Sequence, residues 1–193
     1  MPSSSDKART QIERWSARCA ALEATNQRLT SLWVASTRLH SSLDLAETLD
    51  NIRDIVVTLI GSEEIAIWNL DGDGNNLVLQ SSEGIDATRW AKVPARRGVF
   101  NRVVSHGEIY IRDDQSGKAA RSRGPKDISA CVPLRAGGLC TGAVGIFSLL
   151  SHKRGLNALD RALLDLIASQ AATVLICASR SVAASGRWGR RDG

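Results

Sequence analysis

The stretch Cys131-Val-Pro-Leu-Arg-Ala-Gly-Gly-Leu-Cys-Thr-Gly-Ala-Val-Gly-Ile-Phe-Ser148 decides the fold. Its apolar residues alternate on either side of Ala136-Gly137-Gly138, a composition suited to a tight turn, so it reads as two antiparallel strands over residues 128–134 and 141–149. Gly142, Ala143 and Gly145 leave little side chain on the second strand, which predicts that a helix or a ligand approaches it closely.

Beyond this pair, a helix is expected over residues 157–181, with Asp160 three positions after Asn157 supporting its start. It carries two apolar stripes, Leu164, Ile167, Ala171 and Val174 on one and Leu159, Leu163, Leu166 and Cys177 on the other. One stripe can cover a sheet while the other meets a partner helix. Before the pair, Ile65-Ala-Ile-Trp68 and Leu77–Leu79 alternate around Asp71-Gly-Asp-Gly-Asn75 and read as a hairpin, and a further strand fits residues 108–112. The Asp71, Asp73, Asn75 spacing resembles the start of a calcium loop. No Gly stands at its sixth position and Ser82 occupies its twelfth, so it is read as a turn.

Two helices precede the sheet. Asp44 followed by Glu47 has the pattern of a capping box, opening a helix with Leu45, Leu49, Ile52, Val56 and Leu59 on one face and Gly61 at its end. Residues 7–40 contain neither Gly nor Pro. Ile12, Trp15, Cys19, Leu22, Asn26, Leu29 and Trp33 fall on successive a and d positions, a coiled-coil seam. A buried Asn26 at a favours a parallel, in-register pair, so a parallel homodimer is expected, with Leu163, Leu166 and Cys177 joining the interface. The alternative is a single amphipathic helix packed back on its own domain.

The 193 residues suit one domain with extensions. The expected organisation is a disordered segment over 1–8, a dimerisation helix over 9–42, the domain over 43–181, and a disordered basic tail over 182–193. The net charge of +5 owes part of its excess to Arg187, Arg190 and Arg191 in that tail. An aromatic share of 4 % offers few stacking platforms, so nucleic acid is not an expected partner. No signal peptide or membrane span is expected, and Cys19, Cys131, Cys140 and Cys177 lack CxxC spacing, so a cytoplasmic protein with reduced thiols is expected.

The order of elements resembles that of a GAF domain. The likeness is carried by Ser42-Leu-Asp-Leu-Ala-Glu-Thr-Leu49, Pro94-Ala-Arg-Arg-Gly-Val-Phe100 with Gly107 and Asp113, Cys131-Val-Pro-Leu134, and Thr141-Gly-Ala-Val-Gly-Ile-Phe-Ser148. The resemblance implies an α+β fold: a five- to six-stranded antiparallel sheet with helices packed on one face and a ligand pocket on the opposite one. It also implies dimerisation through parallel helices that pass a signal to an output domain. No kinase, cyclase or helix-turn-helix pattern occurs in the remaining residues, so the expected role is a non-enzymatic regulatory module acting in trans on a separate protein. A constitutive dimeric adaptor with an empty pocket is the alternative.

The resemblance also frames the chemistry. The Asn-Lys-x-x-Phe and Asp-Glu signature of cyclic-nucleotide-binding members is missing, as are the Cys-His and Asp-Ile-Pro features of bilin-binding ones. His40, His106 and His152 do not group, so nothing supports haem or a metal. Free methionine-(R)-sulfoxide reductases of the family place a thiol nucleophile before the Val-Pro-Leu strand. Here that loop holds Ala119, Ala120, Arg121 and Ser122, which leaves a thiol oxidoreductase as a lesser alternative. The long connection over 112–127 is the expected pocket cover. Arg112, Asp113, Arg121, Arg123 and Asp127, with Trp90, Arg96 and Arg97, are the candidate residues for a small, anionic ligand; a solvated loop over a filled pocket is the other reading.

Overall fold

The computed structural model describes residues 4–112, 128–150, 153 and 155–188. Helix α1 (Ser4–Leu39) leads to α2 (Leu45–Ile55), which runs on into a π-turn (Val56–Ile60). Strands β1 (Ile65–Leu70) and β2 (Asn76–Glu83), the short α3 (Ala87–Trp90), β3 (Lys92–Pro94), α4 (Gly98–His106) and β4 (Tyr110–Ile111) follow. Strands β5 (Ala130–Ala136) and β6 (Leu139–Ile146) and the long α5 (Ala158–Trp188) complete the order. The six strands form one antiparallel sheet in the order β3-β2-β1-β6-β5-β4.

Local chemistry explains the joints. The Asp44 carboxylate accepts from the Glu47 N–H at 3.0 Å, while the Asp44 N–H donates to Ser42 Oγ at 3.0 Å, so the reciprocal half of the expected capping box is made by Ser42 rather than Glu47. The Gly61 N–H reaches back to the Val56 carbonyl at 2.9 Å, five residues away, with φ of +79° that a side chain would resist. At α5 the box is complete. Asn157 Oδ1 accepts from the Leu159 and Asp160 N–H groups, and Asp160 Oδ2 accepts from the Asn157 N–H at 2.7 Å. Asp160 is buried, and Lys153 Nζ answers its charge at 2.7 Å while also donating to the Ile60 carbonyl, which ties the end of the π-turn to the start of α5.

The period-two alternation sorts the sheet into two apolar layers. Ile65, Ile67, Val132, Leu134, Val144 and Ile146 face α2, α5 and the end of α1, meeting Ile52, Ile55, Leu164 and Ile167. Ala66, Trp68, Cys131 and Ala143 face the other way, toward Trp90, Phe100 and Val103.

Several expectations change. The sequence predicts no regular structure between Leu79 and residue 108, yet α3, β3 and α4 lie there and cover the second face; each is too short to develop a persistent period. Helix α1 begins at Ser4 and α5 continues to Trp188, so helix runs into both segments expected to be disordered. Leu163 is fully buried in the domain's own core and is unavailable as a dimer contact, because α5 packs on the sheet, α2 and α1 together and needs both stripes for them. Leu166 is half-buried against the same core and Cys177 is exposed. Over Ala158–Ala178, α5 is also long and apolar enough to cross a membrane by composition, where none was expected. Its apolar residues are those that fill this core.

Candidate functional site

The face of the sheet away from α1, α2 and α5 is where a ligand pocket was expected. Here it is built around Trp68, which is fully buried. Its ring lies edge-on to Phe100 at 5.5 Å and to Trp90 at 6.2 Å, and Trp90 meets Phe147 at 4.8 Å. The single polar atom of the indole is satisfied, with Nε1 donating to the Trp90 carbonyl at 2.9 Å. That carbonyl is delivered by α3, whose N-cap Asp86 accepts from the Thr88 and Arg89 N–H groups. A Cβ on Gly145 would sit 2.6 Å from the Trp68 ring, and one on Gly142 would sit 2.1 Å from the Trp68 carbonyl. At Gly142 and Gly145 the close approach that the small residues of β6 foretold is made by the backbone and indole of Trp68, and α4 packs on the same strand.

Of the eight candidate ligand residues, four lie among the described residues. Trp90 is buried in the aromatic layer, with the Arg89 guanidinium over its ring at 5.3 Å. Arg96 and Arg97 are exposed, and Arg97 occupies the N-cap position of α4 without a side-chain cap. The Arg112 N–H donates to the Ser129 carbonyl at 2.8 Å and its guanidinium to the Ile128 carbonyl, so this arginine holds two strand ends together. Asp113, Arg121, Arg123 and Asp127 lie outside the described residues.

Thiol and metal chemistry find little support. Cys131 is buried, and loss of solvation pushes its thiol far up, with the neighbouring Cys140 adding to the shift. Burial raises the Cys140 thiol as well, and its Sγ sits 3.2 Å from the Gly142 carbonyl. Among the described residues no three His, Cys, Asp or Glu side chains group as metal ligands. Asp71 closes its turn by accepting from Asn76 Nδ2 at 2.8 Å and from the Asn75 and Asn76 N–H groups; those bonds, the Asn76 side chain's first, hold its carboxyl below the usual range. An open groove of about 620 Å³, unforeseen in the sequence, runs between α5 and the β5–β6 turn, with Arg135 and Asp165 on its walls. The Gly137-Gly138 turn beside Arg135 was its only local signal.

The second apolar surface is α1. Residues 11–30 are exposed throughout, and Ile12, Trp15, Leu22, Leu29 and Trp33 are 69, 58, 63, 60 and 69 % accessible. Cys19 and Asn26, the other members of the seam, are exposed too. A different stripe of the same helix enters the core: Leu32, Ala35 and Leu39 pack there, and Ser36 Oγ donates to Gln170 Oε1 at 3.0 Å. At 3.6 residues per turn the two stripes lie about a third of a turn apart. The back-packed reading thus describes the end of α1, while residues 11–30, with the seam, are exposed in the single chain.

Helix, hairpin, crossing middle and the β5–β6 pair stand in the order the sequence resemblance implied, and residues 42–175 match the GAF domain family. The chain belongs to the GAF domain family. Its GAF fold is similar to that of the GAF domain from an Acinetobacter phosphoenolpyruvate-protein phosphotransferase, with 18 % identity and a TM-score of 0.64 over 80 % of this chain and 96 % of that one. The GAF domain of a Coxiella burnetii phosphoenolpyruvate-protein phosphotransferase gives 16 % identity and a TM-score of 0.63, covering 81 % and 96 %. Free methionine-R-sulfoxide reductase from Neisseria meningitidis, in complex with its substrate, gives 18 % and 0.60, covering 80 % and 91 %. At such identities the likeness is one of fold. No curated protein is similar to the GAF chain in sequence. Membership makes this a domain of a largely regulatory and signalling family, one that also holds enzymes.

Proposed function

We propose that this GAF domain is a non-enzymatic regulatory module that works by protein contact, docking α1 against a partner helix and acting in trans on a separate protein. One observation carries the reading: the face where a ligand was expected is packed with Trp68, Trp90, Phe100 and Phe147, while five large apolar residues of α1 stand in water. Full burial of such side chains is worth about 1.5–3 kcal/mol each, enough together to drive helix association. An isolated helix with no tertiary support is also marginal in water, which adds to the case for a partner along residues 11–30. The raised thiols of Cys131 and Cys140 weigh against the oxidoreductase alternative. All four cysteines are free, in keeping with the reducing cytoplasm where we place the protein.

A second reading, a sensor of a small anionic ligand, draws on exposed Arg96 and Arg97 at the uncapped start of α4. Thermal-shift screening of the full chain with anionic metabolites separates the two. A ligand at a hundred times its Kd stabilises the fold by about 2.7 kcal/mol. The contact module shows no rise in melting temperature across the panel; a reproducible rise of several degrees makes it a sensor.

A further inference from the structure

The groove between α5 and the β5–β6 turn belongs neither to the aromatic layer nor to the seam of α1. Its volume of about 620 Å³ falls in the range of sites that take a drug-sized molecule. Asp165, Ser169 and Thr173, all exposed, follow one another at steps of four and draw a polar line along the α5 wall. Arg135, near the end of β5, stands on the sheet side, and Ile109, Pro133 and Ala168 add apolar surface.

The sheet side also has an open edge. Strand β4 pairs with β5 only at Cys131 and Ala130, whereas β5 runs on to Ala136. Among the described residues no strand lies beside residues 132–136 on that side. An unpaired edge of this kind offers N–H and C=O groups to an extended peptide backbone.

The charged groups are placed but unanswered. Arg135 and Asp165 are exposed, and neither side chain makes an ion pair or a hydrogen bond with another described residue. A Cβ on Gly107 would sit 3.2 Å from the Arg135 Cζ, so the guanidinium lies against the C-cap of α4, where the helix's partial negative charge favours a cation. Ser169 Oγ donates to the Leu166 carbonyl at 3.1 Å and keeps lone pairs with which to accept. Thr25, Thr30 and Thr37 each bond to the carbonyl four residues back; Thr173 makes no such bond, which leaves its hydroxyl for a ligand.

We propose that this groove binds a short peptide of about three residues with both ends free, its carboxylate accepting from Arg135, its ammonium donating to Asp165 and its backbone passing the open edge of β5. A single amino acid carries both charges on one carbon and does not reach from wall to wall. Three extended residues span roughly 10 Å, on the order of the separation of packed layers. The inference goes beyond the reading of α1 as a docking helix and does not depend on it.

Calorimetric titration of the full chain with trialanine and with Ala-Leu-Ala tests it, each peptide taken free, N-acetylated or C-amidated. Both free peptides bind, and blocking either end weakens binding about tenfold, the worth of a charged hydrogen bond. The variants assign the ends. Arg135→Gln binds free and amidated peptide alike and still rejects the acetylated one, while Asp165→Asn binds free and acetylated peptide alike and still rejects the amidated one. Both side chains are exposed, so an unchanged melting profile serves as the folding control. No binding of either free peptide at millimolar concentration overturns the proposal, as does binding that neither variant alters. Free leucine bound as tightly as Ala-Leu-Ala overturns the span, and blocked peptides bound as well as free ones overturn the recognition of ends in favour of an internal chain segment. The free peptides carry no net charge, so these outcomes stand apart from the anionic thermal-shift panel.

Discussion

Two tryptophans of this chain stand in opposite circumstances. Trp68 is wholly enclosed, its ring set against Trp90, Phe100 and Phe147 and close to Gly145. Trp33, on α1, is 69 % accessible with Leu29 and Trp15 exposed along the same stripe. The first is what a finished core looks like: dense, with its one polar atom bonded. The second is an apolar surface without the contacts that would justify it, and surfaces of that kind mark interaction sites. Aromatic mass has been placed where the fold could have held a ligand, and apolar surface has been left where a helix can land. The division favours contact over reception.

The contrast can be broken most severely at Trp68. Trp68→Ala removes the centre of the aromatic layer and is expected to cost about 3–5 kcal/mol, read by urea denaturation, while leaving any association through α1 in place at low denaturant. Should the loss stay under about 1 kcal/mol, the layer is not a true core and the face is open to a ligand after all. Gly145→Ala sets a methyl against the same ring, and overpacking of this kind costs about 1–3 kcal/mol; a neutral substitution would show that the indole can step aside. Asn26→Leu acts on the other surface alone. The melting temperature of the domain should hold or rise, while light scattering shows a loosened register or a changed number of chains; a uniquely dimeric variant removes Asn26 as the specifying residue.

The smallest effect lies at the hairpin turn, remote from both surfaces. Hydrogen bonds from Asn76 and Asn75 lower the Asp71 pKa in the folded chain. Stability from the charged form is then present above the unfolded pKa and is lost as pH falls through the lowered folded value. Asp71→Asn should therefore trail the wild type at neutral pH, with the gap closing in acid, as followed by urea midpoints at the two pH values.

What could be read from the chain alone follows the length of each signal. Residues 65–68 with 77–79, and 130–146, alternate long enough to give strands and their pairing, and Asp44, Gly61 and Asn157 mark helix ends through chemistry that is local. Helix α4 and the four residues of α3 were hidden because their stability comes from docking on the sheet rather than from any period of their own. The site was the least legible part. Glycines in β6 announced that something comes close, but not whether it would be a ligand or residue 68 of the same chain. The arginines at 96, 97 and 112 suggested an anion by charge alone; Arg112 turned out to bind a carbonyl across the base of a connection. Leu163 misled for a related reason. Two stripes on one helix look like a core and an interface, but α5 packs on the sheet, α1 and α2 of its own chain.

The offset between the two stripes of α1 gives the helix the character of a crankshaft. Residues 7–40 hold no Gly or Pro to absorb a twist, so the helix turns as one piece. One journal of the shaft is the seam, from Ile12 to Trp33; the other is the set Leu32, Ala35 and Leu39, with Ser36 pinned to Gln170. A helix docked on the seam that rolled this shaft would push at Gln170 on α5, and through α5 on the sheet it covers.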